Sequence, residues 1–440
     1  MSKYFKIVRN NWKKSVLGSV AVVYGSNYGY EKYQTKQLMR ALCEEAAKYG
    51  EIPVPPTLKP RNVKVILNPA ANRRKAKANY EKYCAPLLHL AGYSVDVIMT
   101  ESEGEARSLA AKLKDTDIIV VAGGDGTLSE TVTGLMRTYG SVSAPVGVLP
   151  LGRTNSVALA LLGRGVAGGD ARDMAAAAMA VVRGQTKHID AVRVDIVEEA
   201  EGESPHKPVY GLSGIKWGAY RDTLSRQDQY WYFGVLRGYA AVLFNSLGSH
   251  RQPVMAHVTY THACDGCNLC YQTRSDLQEV QSRRWFQYLV PSFTKKTPEA
   301  PKKNYKQVVN PRCGKVSELD LTSLDIHVTC PCVCGNSQGL QVSLGPASLG
   351  WWEWVEEGWR RVSGDSASIT PLADAQQLEI KPMLDNSAQN NEEKWLSIDN
   401  EEYEVKPIKV TLVPKSVQVF FNDPVHTTYT LLEKALLGCC

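Results

Sequence analysis

The sequence lacks the two glycine-rich strings by which many nucleotide-binding proteins are recognised. No G-x-x-x-x-G-K-[ST] string occurs in the 440 residues, and Gly314-Lys315 is followed by Val316, so a Walker-type NTPase is excluded. The dinucleotide fingerprint G-x-G-x-x-G is also missing after the first predicted strand, where residues 68–76 read NPAANRRKA. Any nucleotide site in this chain must use a different loop.

A strong charge imbalance and a long apolar run are missing as well. The chain carries 51 Lys and Arg against 45 Asp and Glu, and this net charge of +6 argues against a nucleic-acid-binding protein. The uncharged residues 15–30 are interrupted by glycines and are shorter than the roughly 20 apolar residues that a spanning helix needs. Because several lysines and Arg9 precede the first acidic residue, Glu31, the start is predicted to be a mitochondrial targeting or membrane-surface anchoring segment. A frayed terminus is the alternative.

The cysteine pattern is not that of a small secreted disulfide framework, because eleven cysteines is an odd number in a long chain. Two clusters stand out, at Cys264, Cys267 and Cys270 and at Cys330, Cys332 and Cys334. The spacing of both clusters could bind Zn²⁺, with His262 as an extra ligand, whereas surface or partly buried thiols or disulfides are the alternatives. The final pair, Cys439-Cys440, forms no prenylation motif.

The chain is predicted to have two folded domains. Short hydrophobic runs at 63–70, 93–100 and 117–126 alternate with helical patterns at 76–91 and 105–114, which predicts a βαβαβ series with a doubly wound parallel sheet. We assign residues 1–60 to the anchoring segment, 61–187 to the α/β domain, 188–425 to a β-rich domain and 426–440 to a tail. Residues 264–315 are predicted to be an irregular insertion in the β-rich domain.

The β-rich domain is predicted from alternating hydrophobic patterns. These patterns occupy 188–197, 317–330, 376–383 and 405–414, without long helices between them, and indicate a mostly antiparallel sheet. Four tryptophans fall within residues 351–359. We interpret them as part of the β core, with a position at a membrane interface as the alternative.

The most informative motif is GGDGTLSE at residues 123–130, between a hydrophobic strand and an amphipathic helix. Gly123 and Gly124 allow close backbone approach, and the start of the following helix favours an anion, so the turn is predicted to hold phosphate. An aspartate would repel a bound phosphate unless it binds Mg²⁺ or transfers a proton, so Asp125 is a candidate functional residue. Thr127 and Glu130 also have the spacing of a capping box, a purely structural alternative.

These residues resemble a family of lipid kinases. The catalytic domain of diacylglycerol, sphingosine and ceramide kinases carries GGDGTxxE after its third strand, as residues 123–130 do here. Further matches are Asn68-Pro69, Thr100 with Gly104 and Ala106, and PLGRTN at 150–155. The resemblance implies ATP as phosphate donor and Mg²⁺ as the metal, with Asp125 as its ligand.

Two later segments also resemble the family. WGAYRD (217–222) followed by YWYFGVLR (230–237) is similar to a stretch that spans the substrate and nucleotide sites, although Leu224 and Trp231 depart from the family pattern. Residues 398–420 resemble its D-G-E segment, with Asn400 in place of the glycine. Glu401 then matches the general base. A solvent-facing acid within an acidic run is the alternative for Glu401.

The resemblance therefore implies three groups of site residues. Asp125 and Glu401 are the catalytic residues, and Asp222 lies at the substrate. The nucleotide-binding residues are Asn68, Thr100, Gly123, Gly124, Gly126, Thr127, Gly152, Thr154 and Arg237.

Within the family, the basic start and the overall pattern are similar to the mitochondrial acylglycerol kinase group. That resemblance implies phosphorylation of monoacylglycerol and diacylglycerol to lysophosphatidic and phosphatidic acid. It also implies a location at the intermembrane-space side of the mitochondrial inner membrane, contact with the membrane surface, and contact with the carrier translocase there. An NAD kinase, which shares GGDGT, and a non-enzymatic membrane scaffold are the alternatives.

Overall fold

The computed structural model of the chain divides into two compact units. The first comprises residues 1–134, 142–188 and 418–440, and the second comprises residues 135–141 and 189–417. The structure describes residues 12–52, 60–114, 116–163, 170–197, 206–247, 252–264, 266–270, 307–331, 339–363, 368–383 and 395–422.

Helix α1 (Trp12–Gly50) contains the predicted anchoring run and differs in burial along its length. Val20 and Tyr24 are exposed in its first part. Leu42 is buried later in the helix, in the core of the first unit. Nearby, Glu45 forms a bidentate ion pair with Arg183, with N–O distances of 2.9 and 3.0 Å. In the part of the chain that the structure describes, no helix is long and apolar enough to cross a membrane.

A parallel sheet forms the centre of the first unit. Strands β1 (Asn62–Leu67), β2 (Ser94–Met99), β3 (Ile118–Gly123) and β4 (Val146–Pro150) lie in the order β4-β3-β1-β2. Each neighbouring pair is parallel, and β3 is buried along its whole length. The last residues of β15 (Ile408–Phe420) extend this sheet, with Val419 in parallel register with Val146. The predicted α/β fold class is confirmed.

Helical segments connect these strands. They are α2 (Ala71–Arg74), α3 (Ala76–Asn79), a π-helical turn (Tyr80–Cys84), α4 (Ala85–Leu90), α5 (Glu105–Ala111), α6 (Asp125–Tyr139), α7 (Ser156–Leu161) and α8 (Ala171–Arg183). Helix α8 is alanine-rich and almost wholly buried, so it can approach the sheet closely. The core that it completes includes Val65 of β1 and Val120 of β3.

The second unit is built on antiparallel strands. They are β5 (Thr186–Ile196), β6 (Val209–Gly211), β7 (Gly214–Gly218), β8 (Val254–His262), β9 (Val316–Ser323), β10 (Asp325–Thr329), β11 (Leu340–Leu344), β12 (Thr370–Pro382), β13 (Trp395–Ile398) and β14 (Glu401–Glu404). The order is β14-β13-β7-β10-β11-β12-β15, β8 pairs with both β12 and β9, and β5 pairs with β6 and β15. The mostly antiparallel character of the C-terminal region agrees with the sequence prediction.

Three expectations for this region were wrong in detail. The region contains helices, namely α9 (Ala219–Ser225), a 3₁₀ segment (Arg226–Leu236), α10 (Arg237–Asn245) and α11 (Trp351–Ser363). The run 317–330 is two strands, because Leu324 leaves the ladder and donates its N–H to Pro346 O at 2.9 Å. The four tryptophans of 351–359 lie on α11 and not in a β core, and only Trp354 among them is fully buried.

Several predicted features fall outside the described residues. They are the basic start at 1–11, residues 271–306 of the insertion, Cys332 and Cys334, and the tail at 426–440.

Candidate active site

The family motifs of the first unit meet at one edge of its parallel sheet, where the carboxyl ends of neighbouring strands lie side by side. The residue that follows each strand donates a further backbone hydrogen bond to the neighbouring strand of the sheet. Thr100 donates its N–H to Leu67 O at 2.9 Å, Asn68 donates to Ala122 O at 3.0 Å, and Leu151 donates to Gly123 O at 3.1 Å. In open α/β sheets this edge is the usual place for a ligand. We call it the motif edge.

Side chains connect the motifs across this edge. Asn68 donates its side-chain N–H to Thr127 Oγ1 at 3.2 Å, and Gly104 donates its backbone N–H to Glu130 Oε1 at 3.0 Å. Helix α6 begins at Asp125, so Thr127 lies inside its first turn rather than at its N-cap. Thr127 and Glu130 are therefore not a capping box. They bind the loops after β1 and β2 to the helix.

The glycines of two motifs pack backbone against backbone. A Cβ atom added to Gly152 would lie 2.2 Å from the Cα atom of Gly124, and one added to Gly124 would lie 3.0 Å from Thr154 O. Asp125 also donates its N–H to Thr154 O at 3.0 Å. These glycines are needed because the loop at 151–155 lies directly on the glycine turn. Gly124 was predicted only to allow close approach of phosphate, and Gly152 was assigned to the nucleotide site by the resemblance.

Asp125 is buried, with 2% of its surface exposed. Its Oδ2 atom accepts hydrogen bonds from the Ser156 hydroxyl at 2.6 Å and the Ser156 backbone N–H at 2.9 Å. Its Oδ1 atom accepts one from the Val157 N–H at 3.3 Å. A carboxylate facing the first N–H groups of α7 is favoured by the helix dipole. Ser156 gave no separate signal in the sequence.

Asn155 fixes the same loop from within. Its Oδ1 atom accepts from the Gly152 N–H at 3.0 Å and its Nδ2 atom donates to Gly152 O at 3.0 Å. The side chain is buried. The last residue of PLGRTN therefore closes the turn that carries Gly152 and Thr154.

The remaining predicted residues lie in the second unit, where Arg221 binds two acids. Arg221 donates to Asp222 Oδ1 at 2.8 Å, and its Nη2 atom lies 2.7 Å from Glu402 Oε1. The Arg221 side chain is 9% exposed. Burial raises the pKa of Asp222, while the hydrogen bond from Arg221 acts in the opposite direction. Arg221 and Glu402 gave no separate signal in the sequence.

Glu401 follows a tight hairpin turn between β13 and β14. Asp399 and Asn400 both have positive φ, of 49° and 68°, as a two-residue type I′ turn requires. Asparagine tolerates this conformation, so the missing family glycine does not prevent the turn. Asp399 accepts hydrogen bonds from the N–H groups of Leu212, Ser213 and Gly214 at 2.7–2.9 Å.

On strand β14 the side chains alternate in burial. Glu401 and Tyr403 are half-buried, whereas Glu402 and Glu404 are exposed. The Tyr403 hydroxyl donates to Glu401 Oε2 at 2.9 Å. The two adjacent glutamates therefore face opposite sides of the strand, as the period of a strand requires.

Arg237 begins α10 and forms an ion pair with Asp228, with an Nη1–Oδ1 distance of 2.9 Å. The structure thus places the predicted residues in two groups. Asn68, Thr100, Gly123, Gly124, Asp125, Gly126, Thr127, Gly152 and Thr154 belong to the first unit, and Asp222, Arg237 and Glu401 belong to the second.

The second unit also exposes many large apolar side chains around α10. Val235 is 93% exposed, Trp231 75% and Trp352 61%. One run of ring contacts leads from Trp231 through Tyr232 and Phe233 to Phe244 of α10. Another leads from Trp351 through Trp352 and Trp359 to Tyr239 of α10. We call these residues, with Val235, Leu236 and Leu247, the aromatic surface.

Two protein-family models and several known proteins match this chain. Residues 62–194 match the family model of the diacylglycerol kinase catalytic domain, and residues 212–434 match that of the acylglycerol kinase C-terminal region. The mitochondrial acylglycerol kinases of Homo sapiens and Mus musculus are 31% and 30% identical, each over 96% of this chain and 97% of their own length. Ceramide kinase of Homo sapiens is 25% identical over 52% of this chain and 45% of its own.

A solved structure of a diacylglycerol kinase from Bacillus anthracis covers 84% of this chain and 99% of its own, at 16% identity and a TM-score of 0.46. The two family models together account for most of the chain, and the relatives align over nearly their full length. The chain belongs to the acylglycerol kinase family, within the lipid kinases that share the diacylglycerol kinase catalytic domain.

Proposed function

We propose that this protein transfers the γ-phosphate of ATP to the hydroxyl of monoacylglycerol and diacylglycerol. The products are lysophosphatidic and phosphatidic acid. The observation that carries the proposal is the 31% identity over 96% of the chain to a mitochondrial acylglycerol kinase. The intact GGDGT motif and its contacts at the motif edge support a kinase rather than an inactive scaffold.

The motif edge would bind the nucleotide. Gly124 and the first turn of α6, with Gly126 and Thr127, offer backbone N–H groups to phosphate, and backbone contact between Gly124 and Gly152 holds the glycine turn in place. Asn68 and Thr100 border the same edge. Bound Mg²⁺ would neutralise the charge that develops on the phosphate oxygens.

Asp125 would act chiefly as a positioning residue. Both of its carboxylate oxygens accept hydrogen bonds from the start of α7, which holds the loop at 151–155 against the glycine turn. A carboxylate has about four acceptor positions, and these three bonds occupy most of them, which leaves little room for a direct contact with Mg²⁺. The direct metal role predicted from the resemblance stays a prediction.

Glu401 would accept the proton of the acceptor hydroxyl. It is half-buried on the opposite side of β14 from the ion-paired Glu402, and the Tyr403 hydroxyl orients it. Arg221 would hold Asp222, the residue predicted to lie at the substrate, and Arg237 would supply positive charge for phosphate. Catalysis would then rest on positioning, charge neutralisation and proton removal.

The aromatic surface would contact the membrane that carries the substrate. Tryptophan and tyrosine favour the boundary between lipid headgroups and acyl chains, and this surface contains both alongside exposed Val235 and Leu247. The relative's name includes "mitochondrial", and the basic start favours delivery there. The more specific location, the intermembrane-space side of the mitochondrial inner membrane, is what the resemblance implies and is part of the proposal, and the translocase contact stays a prediction from the resemblance.

The direct test is a substrate panel. Full-length protein and radiolabelled ATP are incubated with vesicles that contain monoacylglycerol, diacylglycerol or ceramide, and separately with NAD. We expect label in lysophosphatidic and phosphatidic acid only. Labelled NADP would instead indicate an NAD kinase, and labelled ceramide phosphate a ceramide kinase. No transfer to any acceptor, by folded protein that still binds ATP, would favour the scaffold.

A further inference from the structure

The second unit contains four cysteine side chains whose sulfur atoms all lie within 4.8 Å of one another. They belong to Cys264, Cys267, Cys270 and Cys313. The Sγ–Sγ distances are 3.8 Å for Cys267 and Cys270 and 3.8 Å for Cys264 and Cys270. Cys267 is fully buried and the other three are half-buried. None of these residues belongs to the kinase motifs.

The register of two strands brings distant cysteines together. Strands β8 and β9 are antiparallel, and Thr261 near the end of β8 lies opposite Val316 at the start of β9. Cys264 follows Thr261 by three residues and Cys313 precedes Val316 by three residues, so both leave the same end of the strand pair. Cys267 and Cys270 lie on the turn that follows, where Cys270 donates its N–H to Cys267 O at 3.2 Å.

The arrangement matches the geometry of a tetrahedral thiolate site. With Zn–S bonds of about 2.3 Å, the edges of a sulfur tetrahedron are about 3.8 Å long. The backbone N–H of Cys267 points at Cys270 Sγ, 3.4 Å away, and such N–H groups stabilise metal-bound thiolate. We propose that these four cysteines bind one Zn²⁺ ion.

The role of this ion would be structural. Four protein thiolates complete the coordination of Zn²⁺ and leave no position for water or substrate. The ion would join the end of β8 to the start of β9 and so fix both ends of the intervening chain, residues 271–312. Stability would follow because the folded state binds the metal and the unfolded state lacks the preformed site.

Two alternatives use the same residues differently. The sequence had suggested His262 as an extra ligand, but the fourth group is Cys313, and His262 Nε2 lies 3.4 Å from Ser317 Oγ. The cysteines could instead form disulfides. A disulfide needs two sulfur atoms about 2.05 Å apart, whereas the two 3.8 Å distances share Cys270 and favour no single pair.

The test is metal analysis of the full-length protein purified without chelator. We expect close to one zinc ion per chain by elemental (inductively coupled plasma) mass spectrometry. Modification of the thiols by a mercurial reagent should release this zinc. Cys313→Ser should lower the zinc content severalfold, whereas Cys43→Ser, a half-buried cysteine of α1, should leave it unchanged. Cobalt replacement should give the strong visible absorption of a tetrahedral thiolate site.

Wild-type protein without zinc, or with disulfides among the four cysteines by peptide mass, would overturn the proposal. So would full zinc content in folded Cys313→Ser. If that variant does not fold, zinc release from wild-type protein by the mercurial reagent still decides the question. The readout is metal content and not phosphate transfer, so the outcome is independent of the proposed activity.

Discussion

Asp125 and Ser156 are joined by two hydrogen bonds, from the serine hydroxyl at 2.6 Å and from its backbone N–H at 2.9 Å, to the same carboxylate oxygen. This contact ties the aspartate of GGDGT to the first residue of α7. The aspartate therefore holds two family motifs together, which the motif letters alone do not reveal.

The first prediction concerns this contact. In Asp125→Asn the amide NH₂ cannot accept hydrogen bonds from the donor groups of Ser156 and Val157. The loop at 151–155 is then no longer held against the glycine turn, so phosphate transfer should be lost. The free energy of unfolding should fall by about 1–3 kcal/mol, since buried donors are left unpaired. Ser156→Ala removes only the hydroxyl and should retain most of the activity. Radiolabel transfer and urea unfolding measure both effects, and full activity of Asp125→Asn would contradict the positioning role.

A second prediction uses the contact between Gly124 and Gly152. Gly152→Ala places a Cβ atom 2.2 Å from Gly124 Cα, so the glycine turn must move and ATP binding should weaken at least tenfold, or about 1.4 kcal/mol. Gly29→Ala, where no atom lies within 4 Å of the added Cβ, is the matched control. Calorimetric titration with ATP compares them. Equal affinities would show that the turn tolerates displacement.

The adjacent glutamates of β14 give a third prediction. Glu401→Gln should reduce turnover by about 10²–10⁴-fold with ATP affinity unchanged, as expected for loss of a general base. Glu402→Gln removes one partner of the buried Arg221, so it should lower stability by about 1 kcal/mol but keep turnover within a few-fold. Steady-state kinetics and thermal unfolding separate the two. Greater loss of turnover in Glu402→Gln would assign the base to the other side of the strand.

A fourth prediction concerns a buried cluster of charges in the second unit. Arg361 forms ion pairs with Asp325 and Glu357, and all three side chains are at most 8% exposed. Arg361→Ala leaves two buried carboxylates without their cation and should cost about 3–5 kcal/mol of unfolding free energy. Arg360→Ala breaks an exposed pair with Glu356 and should cost at most about 0.5 kcal/mol. Chemical denaturation of the two variants provides the comparison.

The same cluster predicts a pH dependence of stability. Burial raises the pKa of Asp325 to about 6, although Arg361 opposes the shift. As the pH rises, Asp325 therefore loses its proton at a lower pH in the unfolded chain than in the folded protein. Because the folded protein then binds more protons than the unfolded chain, the free energy of unfolding should fall by about 2–3 kcal/mol as the pH rises from about 4 to 6. Asp325→Asn should remove this part of the profile. An identical profile in the variant would mean that Asp325 is ionised throughout that range.

The aromatic surface gives a prediction about membranes. Trp352→Ala and Val235→Ala should each lower binding to vesicles at least about tenfold, because burying one such side chain is worth about 1.5–3 kcal/mol. Leu90→Ala, an exposed leucine of the first unit, should leave binding unchanged. Co-sedimentation with vesicles of inner-membrane lipid composition measures the effect. Equal losses in all three variants would indicate nonspecific adsorption.

The fold class was predictable because its signals are local. The buried runs of β1 to β3 and the helical patterns between them are readable within short windows, and GGDGT follows the third strand in both sequence and structure. The burial of Asp125 was not predictable, since its partners Ser156 and Val157 are about thirty residues away. Helix α11 was missed because its four tryptophans suggested a β core, although Trp354, Val355 and Gly358 form a buried helical face.

The role of Cys313 was missed for a similar reason. No local spacing relates it to Cys264, and only the register of β8 with β9 brings them together. The conformation of Asn400 was better specified, because Asp399-Asn400 is a turn sequence that favours positive φ.

The first unit includes residues 418–422, which are synthesised long after strand β4. The sheet of this unit therefore cannot be completed until these residues have left the ribosome. Val419 covers the edge of β4 at Val146, Phe421 donates its N–H to Gln185 O at 3.2 Å, and Asn422 binds Arg183 at 2.9 Å. At typical ribosomal rates of about 5–20 residues per second, these partners emerge on the order of tens of seconds after β4. Until then that strand edge stays open to pairing with other chains, so we expect newly made protein to need a chaperone during this interval.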